Sequence, residues 1–187
     1  MATKTSVFNL SGFWILLAIP VAVTGLLAYG YYLQYVEYLD PCPLCMTQRF
    51  FYYVCGIIAL IGLFGVRRRL WQKLIAGLVA LSAIGGLVTA GRQIWLQHLP
   101  PEQVPECGLG LTYWLQNEPM FNTLKLLFQG DGNCAEVQWR FLGFSIADWS
   151  FFWFACIFLA CCYLLIRKFP VASNLARTDT PLSLIHI

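Results

Sequence analysis

Charge is what this 187-residue chain has least of: 11% of its residues are Asp, Glu, Lys or Arg, against about 25% in an ordinary soluble domain. With 59% of the chain hydrophobic, that scarcity excludes a soluble globular protein and points to a membrane protein. Histidine is scarcer still. His98 and His186 are the only two, far apart in the sequence, so no histidine pair stands at metal-ligand spacing. A second close cysteine pair in the polar regions is also missing. Cys42 and Cys45 form a Cys-x-x-Cys, but Cys107 and Cys134 are 27 residues apart, which argues against a four-ligand zinc site. No internal repeat and no low-complexity tract is present, so a repeat architecture is excluded as well.

What the chain does have is four apolar windows, at 13–33, 50–66, 74–96 and 149–166, each near the roughly 17 to 25 residues that cross a bilayer as a helix. The first is longer than the apolar core of a cleaved signal peptide and lacks a small-residue cleavage site, which favours a retained span. Pro20 inside it is expected to kink the helix. Arg92 near the end of the third can snorkel to the interface. With the N-terminus cytoplasmic, that side receives eight of the twelve Lys and Arg residues, chiefly through Arg67-Arg68-Arg69. The positive-inside rule selects this topology. The expected fold is an all-α integral membrane protein, a four-transmembrane-helix bundle forming one membrane domain over 1–170. The external loop at 97–148 belongs to that domain, and 171–187 is a cytoplasmic tail.

Spans two and three are joined by a short basic turn and are expected to pack as an antiparallel hairpin. Small residues along span three, among them Ala76, Gly77, Ala83, Gly85 and Gly86, allow close helix packing. In the long external loop, Met120, Phe121, Leu124, Leu127 and Phe128 share one helical face after a plausible cap at Asn117 and a proline at 119. This is a short amphipathic helix, either lying in the bilayer surface or packed on the spans. The last six residues, Leu182-Ser183-Leu184-Ile185-His186-Ile187, match what a sequencing adapter end encodes and are set aside as an artefact.

The topology puts Cys42 and Cys45 in the first external loop and Cys107 and Cys134 in the second, in a compartment where disulfides persist. Cys55, Cys156, Cys161 and Cys162 fall within spans, where thiols behave as small hydrophobes. Two external pairs could simply staple the loops. Against that, a bridge across two intervening residues removes little chain entropy, whereas it permits reversible exchange. Cys45 lies near the start of span two, where unpaired amides and the helix dipole favour an anion. Arg49 follows one turn later on the same face and adds a positive charge. Together they would stabilise a thiolate or a reduced oxygen anion.

The stretch Cys42-Pro43-Leu44-Cys45-Met46-Thr47-Gln48-Arg49, the four-span plan, and Asn133-Cys134-Ala135-Glu136-Val137-Gln138-Trp139-Arg140-Phe141-Leu142-Gly143 together resemble the DsbB family. The resemblance runs from about residue 13 to residue 165. It implies a bacterial inner-membrane thiol:quinone oxidoreductase with its redox loops in the periplasm. Such a protein reoxidises a DsbA-like periplasmic thiol oxidase and delivers two electrons to a membrane quinone, ubiquinone or menaquinone. The partners implied are that oxidase, membrane lipid and the quinone pool, with no nucleic acid. Carried onto matching positions, Cys107 and Cys134 form the partner-facing disulfide, with Cys107 the site of attack. The Cys134 counterpart can engage the Cys42 counterpart, leaving Cys45 facing the quinone. Arg49 would stabilise the quinone oxygen, and Gln93 and His98 fit the family spacing for further quinone contacts. Arg92 and Trp95 are equally well explained as interfacial anchors. The segment from His98 to Cys107, with prolines at 100, 101 and 105, is shorter than in the best-known members. A relative serving a dedicated DsbA-like partner, and a non-catalytic membrane protein with stapled loops, remain as alternatives.

Overall fold

The computed structural model describes residues 3–65, 68–105 and 127–167. Four long helices dominate it: α1 (Thr3–Tyr35), α2 (Pro43–Phe64), α3 (Arg69–Gln97) and α4 (Ile146–Ile166). Each contains an apolar stretch long enough to cross a membrane. The all-α four-helix architecture expected from the sequence is therefore the observed one. Every helix starts before its apolar window, because a helix closes its own backbone hydrogen bonds and does not stop where side chains become polar. In α1 the helix continues through Pro20, and the Thr24 hydroxyl donates to the Pro20 carbonyl at 2.7 Å.

α2 and α3 form the expected antiparallel hairpin. Phe51 on α2 meets Gly85 on α3, and Gly62, further along α2, meets Ile75, earlier on α3. The small residues of α3 serve this packing. Ala76, Ala83 and Ala90 are fully buried, and the rings of Phe51 and Phe154 rest on the backbone at Gly85 and Gly86, where any Cβ would collide with them. Gly77 faces open space instead and has no such role.

α4 closes the other side of α3. Tyr52 and Phe154 stack at 4.0 Å between ring centroids in the centre of the bundle, and the Tyr52 hydroxyl donates to the Ser150 carbonyl at 3.2 Å. Cys55 and Cys161 are fully buried in this core, as expected of packing thiols. Outward, the bundle presents Val21, Ile57, Leu81, Val88 and Leu159, a surface suited to hydrocarbon rather than water.

The chain enters α4 through a two-stranded hairpin, β1 (Arg140–Phe141) paired antiparallel with β2 (Phe144–Ser145). Leu142 and Gly143 turn it with φ of 54° and 85°, the positive angles of the tight hairpin turn. Ser145 then caps α4 in a reciprocal box with Asp148. The expected amphipathic helix lies outside the described residues except for its last turn at 127–129. The tail from 168 onward, with the six set-aside residues, also lies outside them.

Candidate functional site

α2 begins where the sequence pairs its two close cysteines. Cys42 is the extended N-cap and Pro43 occupies the first helical position, where its missing N–H costs nothing. Cys45 falls in the first turn, with the main-chain N–H of Cys42 directed at its sulfur. The two Sγ atoms lie 3.0 Å apart, Cys42 donating.

A second cysteine approaches from the segment between α3 and α4. Cys134 ends a short 3-10 turn, Gly132–Cys134, held by its N–H donating to the Asp131 carbonyl at 3.0 Å. It is fully buried in a small apolar cluster with Cys42, Leu44 and Leu96. Gly130 makes this approach possible: at φ +73° it presses on Leu44, so that a Cβ there would sit 2.6 Å from Leu44 Cδ1. The Thr47 hydroxyl on α2 lies 2.8 Å from the Leu127 carbonyl and 3.1 Å from that of Pro43. Arg92 Nε donates to the Gln129 carbonyl at 3.4 Å, fastening the same loop to α3. Contact with Cys134, then with Cys45, together with burial, drives the Cys42 thiol far above its ordinary ionisation range. Cys42 is thus held as a thiol in the reduced protein.

Beneath these sulfurs lies a cavity of about 420 Å³, within the range of small-molecule sites. Leu26, Leu33, Trp149 and Trp153 give it apolar walls, and Cys45, Arg49, Gln93 and Gln97 supply polar groups. Arg49 is anchored on α1: Nη1 donates to Gln34 Oε1, Nη2 donates to the Gly30 carbonyl at 3.1 Å, and the guanidinium lies 4.9 Å from the Tyr31 ring centroid. Gln93, buried on α3, donates from Nε2 to Cys45 Sγ at 3.3 Å and to Cys42 Sγ at 3.6 Å. Gln48 Nε2 donates in turn to Gln93 Oε1 at 2.7 Å.

Of the site residues expected from the sequence, Cys42, Cys45, Cys134, Arg49 and Gln93 therefore meet. Cys107 lies outside the described residues. His98 does not join the site. It is the exposed C-cap of α3, its Nδ1 2.8 Å from the Ile94 carbonyl, and its neighbour Gln97 lines the cavity instead. Arg92 stacks on Trp95 at 4.4 Å, as an interfacial anchor does. Gln48 and Gln97 were missed. Their signals were spacing alone, three residues after Cys45 and four after Gln93.

The sequence family described as disulfide bond formation protein DsbB matches residues 12–164. Disulfide bond formation protein B of Marinobacter nauticus is 38% identical over 156 residues, covering 83% of this chain and 93% of that protein. The protein of the same name from an Azoarcus species is 41% identical over 153 residues, 81% of this chain and 91% of its own length. That of Saccharophagus degradans is 44% identical over 135 residues, 72% and 81% of the two chains. No solved structure matches. Its close cysteine pair at the head of α2, its four apolar helices and a match over most of its length make this chain a member of the DsbB family of membrane proteins.

Proposed function

We propose that the protein is a thiol:quinone oxidoreductase of the bacterial inner membrane, with both termini cytoplasmic, that reoxidises a DsbA-like periplasmic oxidase. The bacterial periplasm is kept oxidising kinetically by a relay of this kind. The observation that carries the reading is the double exposure of the α2 cysteine pair: Cys42 touches Cys134 from the external loop while Cys45 lines the cavity.

The exchange balances as follows. A DsbA thiolate attacks Cys107 of a Cys107–Cys134 disulfide and expels Cys134 as a thiolate. Cys134 attacks Cys42 of a Cys42–Cys45 disulfide and expels Cys45. The second DsbA thiol then releases oxidised DsbA and frees Cys107, which displaces Cys42 from Cys134. The chain is left with its external disulfide restored and two electrons on Cys42 and Cys45. Each step needs a thiolate and an accessible sulfur.

A quinone, ubiquinone or menaquinone, supplies when bound an acceptor for two electrons and two protons. The cavity suits such a group, because its walls are apolar and its polar side chains include donors that could face carbonyl oxygens, Arg49, Gln93 and Gln97. Arg49, held on α1 by Gln34 and Gly30, would offer fixed positive charge to a developing oxyanion without reorganising. Gln93 would steady the Cys45 sulfur before it reacts.

The test is anaerobic oxidation of reduced DsbA by the purified protein with added ubiquinone or menaquinone. Stoichiometric DsbA disulfide and quinol support the reading. No oxidation with both partners present would return the loop cysteines to a stapling role. Capturing the mixed disulfide with Cys134→Ser would identify a general or a dedicated partner.

A further inference from the structure

We propose that Gln48 is a positioning residue for this reaction: it holds the Gln93 carboxamide with its NH₂ edge toward Cys45, so that Gln93 donates to that sulfur when it is charged. This rests on the reading of Cys45 as the sulfur that faces the acceptor.

A carboxamide has two edges of opposite character, and one alone can help a thiolate. As placed, Nε2 is the nearer edge and donates to Cys45 Sγ at 3.3 Å, while Oε1, at 3.6 Å, can accept from the protonated thiol; with Oε1 nearer, the carboxamide would set a lone pair against a negative sulfur. The side chain has no internal preference between the two edges. Gln48 supplies one, because its Nε2 donates to Gln93 Oε1 at 2.7 Å. With Gln48 as it is placed, turning Gln93 over would break that bond and bring two NH₂ groups together. Gln48 and Gln93 are 2% and 4% exposed, so water is poorly placed to replace the lost bond. The spacing fits the task. Gln48 stands three residues after Cys45 on α2, one turn along the same face, and Gln93 reaches both from α3. The bond that Gln48 makes is to Gln93 and not to a sulfur, so it acts through Gln93.

The experiment uses the full chain, reduced and purified in detergent, with neither quinone nor DsbA present. Iodoacetamide alkylation of Cys45 is followed by peptide mass at pH 7 and pH 10. The other groups near Cys45 stay constant: Cys42 beside it, Arg49 one turn along, and Asp40 and Glu136 in the cavity wall. Gln48→Met is expected to slow alkylation at pH 7 about ten-fold, the equivalent of one hydrogen bond to a charged group. Gln93→Met should slow it equally, and the double variant no further. At pH 10, above the ordinary thiol range at about pH 8.5, all variants should match the unsubstituted protein at Cys45, which shows that access to that sulfur is unchanged. If Gln48→Met fails to fold, Gln48→Asn keeps an amide one methylene too short to reach and is expected to behave the same way. An unchanged pH 7 rate in the folded Gln48 variants, or losses that multiply in the double variant, would overturn the proposal. Failure of the quinone reading would appear only in turnover and would leave these rates as they are.

Discussion

Replacing Gly130 with alanine should separate the loop cysteine from the helix cysteine without touching either. At φ +73° an alanine pays the left-handed penalty of about 1–2 kcal/mol. Its Cβ would stand 2.6 Å from Leu44 Cδ1 and 3.0 Å from Leu96 Cδ1. Those two leucines are 0% and 1% exposed and cannot swing into open space, so overpacking adds about 1–3 kcal/mol. The total is about 2–5 kcal/mol. Its cheapest relief is for the loop to withdraw by roughly 1 Å, the distance that restores ordinary carbon contact, carrying Cys134 four residues further on. The assay is the equilibrium between a Cys42–Cys134 disulfide and free thiols in a glutathione buffer, in a background with Cys45→Ser and Cys107→Ser. Since about 1.4 kcal/mol is a factor of ten, Gly130→Ala should lower that equilibrium constant at least ten-fold. The Cys42–Cys45 equilibrium, measured with Cys134→Ser, should not move. A Cys42–Cys134 constant unchanged within error would refute the role given to Gly130.

Three further outcomes are expected. Arg49→Ala should reduce quinone-dependent turnover about a hundred-fold, the scale of losing one charge-stabilising donor, and leave DsbA binding alone; steady-state kinetics with each substrate varied in turn would check this. Thr47→Val removes the hydroxyl that lies against the Leu127 carbonyl and should cost about 1 kcal/mol locally, read as faster amide exchange over 127–134 with little change in α2. The Cys42 thiol is raised in the folded protein by Cys134, Cys45 and burial, so the stabilisation it brings is present below the ordinary thiol range near pH 8.5 and lost as pH rises beyond it. The reduced protein should therefore melt at progressively lower temperature above about pH 8.5, and Cys42→Ser should flatten that slope.

The four spans were legible because crossing a bilayer requires little more than an uninterrupted apolar run. Their exact ends were not, and α2 shows why. Its apolar window opens at Phe50, after Arg49, yet the helix starts at Pro43, because the arginine finds partners on α1 and need not end the span. Cys42, Cys45 and Arg49 stood together in one short motif, and the structure keeps them together at the head of α2. The amides were harder. Gln48 and Gln97 look in sequence like any polar residue near an interface, and their value comes from what faces them across the bundle. His98 drew attention by residue type, but one position along a helix is a turn of about 100°, enough to send the histidine outward and leave Gln97 at the cavity.

Cys42 stands between Cys45 and Cys134, and a sulfur can hold one disulfide bond at a time. In the proposed exchange the segment would therefore work as a single-pole switch: joining Cys42 to one neighbour releases the other. In the relay proposed above, traffic between the Cys134 loop and the cavity would pass through that one contact, in sequence. A substitution that let Cys134 reach Cys45 directly would bypass the switch, and oxidation at one end would no longer be tied to reduction at the other.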